Sequence, residues 1–291
     1  MELQWPLILF TVFVAWSAGL FATQALLAFK GRAPQSQVPA LATSAALLVI
    51  GGIAVFFHLQ HWERIFNGFG HITSGITQEL IAIVVVAVLM VVYFVLLRRA
   101  GAEEAKVPSW LSILVVVASA ALVVVMAHSY VMASRPAWNT LLWICAILGN
   151  ACILGPATMA LIAALKGESD DFCVSLVFGG SVVNAVCSAA YLVFLSTIGG
   201  LFVQVEHYFD LTHPLKELQS FTSPFANDSA PALWLGVVIV GLLVPIVGAV
   251  LGKKKGDWKT WGAITVAAAV IGAVCLRVVF YQTGMSVFMF Y

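Results

Sequence analysis

Charge is scarce in this chain. Lys, Arg, Asp and Glu together make up only 9% of the residues, against 62% hydrophobic ones. A soluble domain carries about a quarter charged residues, so a water-soluble globule is excluded. Cysteine is sparse as well. The five are Cys145, Cys152, Cys173, Cys187 and Cys275, with no CxxC spacing among them. They read as small core hydrophobes, not ligands of an iron–sulfur cluster. Short alternating segments of the barrel type are missing too. So are a soluble domain, a low-complexity segment and a convincing repeat. The net charge of +1 carries no basic surface for nucleic acid.

What the chain does have is long apolar runs. A membrane-spanning helix needs roughly 20 such residues. Eight runs qualify, at about 5–29, 39–59, 77–97, 108–132, 138–165, 172–198, 233–251 and 258–281. The predicted fold is an all-α integral membrane protein of eight transmembrane helices, arranged as two four-helix bundles. Residues 1–291 form a single polytopic domain. Pro156 and Pro245 predict kinks in the fifth and seventh spans. The first run lacks a basic leading region and is too long for a cleaved signal peptide.

Basic residues set the orientation. Lys30, Arg32, Arg98, Arg99, Lys106, Lys166, Lys253, Lys254, Lys255 and Lys259 fall on one side, and Arg64, Arg135 and Lys216 on the other. The richer side faces the cytoplasm. Both termini are therefore expected outward, as are two longer loops at about 60–76 and 199–232. The second loop interleaves Phe202, Tyr208, Phe209, Phe221 and Phe225 with Glu206, Asp210, Lys216 and Glu217. That mixture suits a membrane interface or a partner surface.

Ionisable groups at membrane depth mark function by default. His58 closes the second span and Glu79 opens the third, with "HLQHWERIFNGFGHITSGITQE" between and including them. The two flank one outward loop and so lie at similar depth. An imidazole can take up a proton near neutral pH, and a carboxyl group can relay it. Arg64 and Asn67 lie between them, with Phe56, Phe57, Trp62 and Phe66 available to pack on a ring. Such a set matches the needs of a quinol, whose two hydroxyls lose protons as two electrons leave. The bland alternative is a His and a Glu that only anchor a loop. His61 shares the face of His58 if the helix continues, and His71 is expected to be solvated. Arg277, near the outward end of the last span, needs a partner. Glu79 could supply it, or the side chain could snorkel to the surface. Tyr130 and Ser134–Thr140 close the outward turn between spans four and five, and Trp138 there suits an interfacial belt. Two other readings compete. His58 and His128 could ligate a b-type haem, and Glu79 could serve a proton-coupled transporter.

Several strings, in order, resemble the membrane-anchor subunit of the dimethyl sulfoxide reductase family. They are "WPLILFTVF" (Trp5–Phe13), "HL" at His58-Leu59, "RIFN" (Arg64–Asn67), Ser74, Glu79, "PAWNT" (Pro136–Thr140) and "RVVFY" (Arg277–Tyr281). The resemblance spans essentially the whole chain. It implies an anchor in a bacterial inner membrane, with termini on the periplasmic side, that oxidises menaquinol without haem. Electrons would pass to an iron–sulfur subunit and on to a molybdopterin catalytic subunit that reduces an S-oxide or N-oxide. No iron–sulfur cluster is expected in this chain. His58 and Glu79 match the family's quinol-site pair. With the residues read from the sequence itself, the expected quinol-binding set is His58, Arg64, Asn67, Glu79, Trp62, Phe66, Tyr130 and Arg277. Where the family has a Gly-Ser/Thr-Pro-like turn after His-Leu, this chain has Gln60-His61-Trp62, which alters the pocket.

Overall fold

The computed structural model describes residues 3–58, 61, 70–99, 107–201 and 223–285. Among them the chain is helical, without strands. The helices are α1 (Trp5–Phe29), α2 (Gln37–Phe56), α3 (Gly75–Arg99), α4 (Ser109–His128), α5 (Leu141–Leu165), α6 (Asp171–Thr197), α7 (Val244–Lys255) and α8 (Trp258–Gln282). A π-helical segment, Ala232–Leu243, leads into α7 and completes the seventh span. All eight spans are long and apolar enough to cross a bilayer. With eight crossings, both ends of the chain share one face, called here the terminal face. The short loops at 30–36, 166–170 and 256–257 lie on the other.

Local chemistry sets the helix ends. Thr140 caps α5 by accepting from Leu142 N at 3.2 Å, and Asp170 caps α6 by accepting from Cys173 N at 2.7 Å. Asp257 caps α8 by accepting from Thr260 N at 3.2 Å. These oxygens satisfy amides that have no partner in the first turn. Gly256 stops α7 with φ +68°, a left-handed conformation suited to glycine. Arg98 and Arg99, and Lys253–Lys255, close α3 and α7 where cations favour the helix dipole.

Lipid offers helices no hydrophobic reason to associate, so close backbone approach and polar contacts must hold them. α1 packs on α2, α4 and α5, while α5 packs on α1, α6 and α8. α3 leans on α4, and α7 on α8 and α6. At the crossing of α1 and α5, Gly155 meets the backbone of Gly19 so closely that no β-carbon fits between them. α1 and α5 are thereby the most enclosed pair, and α3 exposes the widest apolar face.

Several expectations need correction. α2 ends at Phe56, not near residue 59, so His58 lies in the turn beyond it. The helix does not continue to His61, and the shared face expected for His58 and His61 does not exist. α4 ends at His128 and α5 begins at Leu141, a few residues inside the expected spans, and Tyr130 and Trp138 lie in the connecting turn as expected. α5 is one helical segment with Pro156 in its interior, where the expected kink would fall. Near Pro245 the seventh span changes from π- to α-helical at Val244. Proline lacks an N–H and crowds the carbonyl four residues earlier, which here is Gly241. That carbonyl accepts from Asn184 Nδ2 at 3.2 Å instead. Among the cysteines, Cys173 is buried, but Cys152 is exposed on the helix surface and is not a core residue.

Candidate functional site

Glu79 sits in the second turn of α3, 8% exposed. The hydroxyl of Ser129, in the turn after α4, donates to Glu79 Oε1, with Met126 O at 2.9 Å as the alternative acceptor for its single proton. Among the described residues, no basic side chain forms an ion pair with Glu79. This carboxyl group is therefore held by one neutral donor in a place where ionisable groups are rare.

Tyr130 follows Ser129 directly, and its ring meets Phe280 edge-on at 6.2 Å. Burial pushes the Tyr130 phenol well above its ordinary range. The nearby Tyr281 phenol and Glu79 carboxyl act in the same direction, and Arg277 opposes them. Four groups from three parts of the chain thus lie within electrostatic reach of one another. Tyr130 and Tyr281 lie close, and Tyr281 Oη has no hydrogen-bond partner among the described residues.

The floor of this corner is aromatic. Phe280 is stacked between Trp143 at 3.7 Å and Trp138 at 4.4 Å. Trp138 Nε1 donates to Phe280 O at 2.7 Å, and the Arg135 guanidinium lies over the Trp138 ring at 4.6 Å while donating to Gly284 O. Tyr191 Oη donates to Ala137 O at 3.1 Å. The "PAWNT" turn and the "RVVFY" end of α8 therefore pack directly on each other. Trp138 is buried in this contact, so the expected place in an interfacial belt is corrected.

Arg277 contradicts both sequence expectations. It is 0% exposed, so it does not snorkel, and it does not pair with Glu79. Nε donates to Thr11 Oγ1 at 3.0 Å, Nη1 to Asn150 Oδ1 at 2.6 Å and Ala273 O at 2.9 Å, and Nη2 to Thr11 O at 3.3 Å. Neutral dipoles from α1, α5 and α8 were close enough to satisfy the guanidinium, so it had no need of water or a carboxylate. Asn150 Nδ2 donates onward to Asn184 Oδ1 at 2.8 Å, which extends the network to α6.

His58 and His128 are both exposed at helix ends. His71 is exposed as well, in keeping with its expected solvation. Trp62, Arg64, Phe66 and Asn67 lie outside the described residues, as does most of the 199–232 loop. The structure thus gathers Glu79, Tyr130 and Arg277 into one corner. Sequence reasoning missed Ser129, Thr11, Asn150 and Asn184. The two asparagines did carry a signal, since each is a lone amide inside an apolar span.

A family model described as "DMSO reductase anchor subunit (DmsC)" matches residues 1–282. No curated protein matches the chain significantly.

Proposed function

The chain belongs to the DMSO reductase anchor-subunit family, and we propose that in its complex it oxidises a membrane quinol, menaquinol, at the terminal face. The observation that carries this reading is the buried Glu79 carboxyl group, held by Ser129 near the start of α3. A quinol loses two protons and two electrons. His58 accepts one proton, and Glu79 takes up and relays the other toward the terminal face. The two electrons leave to an iron–sulfur partner subunit docked there, and from it to a molybdopterin subunit that reduces an S-oxide or N-oxide. Arg64, Asn67, Trp62 and Phe66, which lie outside the described residues, are assigned to the head-group site from the sequence alone, and Tyr130 contributes to it from the α4–α5 turn. Arg277 acts through its charge, because its donors are engaged by protein acceptors. In this proposal the membrane is the bacterial cytoplasmic membrane and the terminal face is periplasmic. Protons are then released outside.

The test uses the assembled complex. Glu79→Gln and His58→Ala are each assayed with menaquinol and, separately, with an artificial dye that feeds the catalytic subunit directly. Loss of a positioned acid–base group slows turnover about 100-fold or more. The quinol-driven rate is expected to fall by that factor while the dye-driven rate holds. Normal quinol turnover in both variants refutes the assignment.

A further inference from the structure

Tyr281 stands at the end of α8 beside the Glu79 corner. It is 3% exposed, and its hydroxyl has no hydrogen-bond partner among the described residues. Its ring is fixed on two sides, edge-on to Trp138 at 5.6 Å and to Phe280 at 5.6 Å. A buried hydroxyl without a partner is costly, and such exceptions call for an explanation. Trp143 Nε1 is also unpartnered. Its ring, however, is closed in by Phe280 at 3.7 Å and Tyr191 at 5.5 Å. Tyr281 has the Tyr130 phenol and the Glu79 carboxyl group as neighbours.

Donor chemistry separates Tyr281 from Arg277. The guanidinium already serves Thr11, Asn150 and Ala273, and a guanidinium can only donate. A phenol both donates and accepts. It can therefore accept from a quinol hydroxyl and donate to the carbonyl oxygen left after oxidation, so one group serves both redox states.

We infer that the Tyr281 hydroxyl is a direct head-group contact of the quinol site, hydrogen-bonding one ring oxygen beside Tyr130 and Glu79. This rests on the quinol reading above. Arg277 is then a positioning residue behind it.

The test compares Tyr281→Phe, which removes only the hydroxyl, with Glu79→Gln in the assembled complex. Menadiol, a soluble naphthoquinol, is the reductant, and the artificial dye is the control. One lost hydrogen bond is worth roughly a tenfold change in affinity. KM for menadiol is expected to rise about tenfold in Tyr281→Phe, with kcat reduced far less and the dye-driven rate unchanged. An unchanged KM in Tyr281→Phe, alongside loss of menadiol oxidation in Glu79→Gln, overturns the Tyr281 contact and leaves the quinol reading standing. Unchanged menadiol oxidation in both variants overturns both. If Tyr281→Phe fails to assemble, 3-fluorotyrosine placed at position 281 keeps the shape and acidifies the phenol. KM for menadiol is then expected to rise, because an acidified phenol accepts a hydrogen bond from the quinol hydroxyl less well, and an unchanged KM overturns the contact.

Discussion

Replacing Asn150 with Leu isolates what holds the buried guanidinium. Asn150 is 4% exposed and makes two hydrogen bonds, accepting from Arg277 Nη1 at 2.6 Å and donating to Asn184 Oδ1 at 2.8 Å. Leucine keeps the branched shape and heavy-atom count of asparagine and is the bulkier of the two, so the effect does not come from a cavity. Hydrogen bonds to charged groups contribute about 1.5–3 kcal/mol. Neutral side-chain pairs between membrane helices average only about 0.6 kcal/mol. The arginine bond therefore dominates, and Asn150→Leu should cost about 3 kcal/mol, or roughly a 100-fold shift in the unfolding equilibrium. The assay is reversible unfolding of the purified chain in mixed micelles with rising denaturing-detergent fraction. A second measurement ties the loss to the charge. In an Arg277→Met background the charged partner is absent, and the same Asn150→Leu change should cost no more than about 1 kcal/mol. Equal costs in the two backgrounds would show that Asn150 supports helix packing and not the guanidinium. A wild-type unfolding midpoint for the single variant would refute the reasoning outright.

Two further outcomes follow from the packing and the phenol cluster. Gly155→Leu places a side chain into the Gly19 backbone, so α1 and α5 must separate. Overpacking of this kind costs at least about 1–3 kcal/mol, and the amount of folded chain in the membrane should fall, whereas Gly179→Leu on an open surface should be tolerated. Tyr130 has its phenol pushed above the ordinary value of 10.0 by burial. The folded chain thus holds that proton more tightly than the unfolded one, so the stabilisation is complete below pH 10 and is lost as pH rises beyond it. Unfolding midpoints measured from pH 8 to 11 should decline at the alkaline end, and Tyr130→Phe should flatten that decline.

Much of the architecture could be read from the chain because each span exceeds the length a bilayer demands. The ends were harder. "VFFHLQHW" stays apolar only to Phe57 and then mixes His58, Gln60 and His61 with Leu59 and Trp62, and no Gly or Pro marks the turn that sets His58 beyond α2. Glu79, Tyr130 and Arg277 stood out because ionisable and phenolic groups are conspicuous in such company. Their partners did not stand out. Thr11 lies 266 residues from Arg277 and Asn150 lies 127 from it, and hydropathy carries no information about which helices become neighbours. Ser129 is an ordinary residue until the fold brings it to Glu79. The π-helical stretch was half legible. Pro245 announced a break, but the acceptor it releases at Gly241 gained meaning only when Asn184 proved to face it.

The way Arg277 is satisfied bears on the proposed chemistry. A guanidinium paired with Glu79 would form a neutral couple, with its field largely cancelled a few ångströms away. Here the acceptors are a hydroxyl, an amide and two carbonyls, which solvate the cation without neutralising it. A net positive charge therefore remains fixed beside Tyr130 and Tyr281, in surroundings where screening is weak. On the quinol reading, that charge favours an oxygen giving up its proton over one keeping it, and it persists through both electron transfers because no titratable partner can switch it off. Glu79, left with Ser129 as its donor, stays free to gain and lose a proton in each cycle. Separating the fixed charge from the mobile proton gives each group one task. On the quinol reading, this division accounts for a costly arginine held in the core by neutral dipoles and not joined to Glu79.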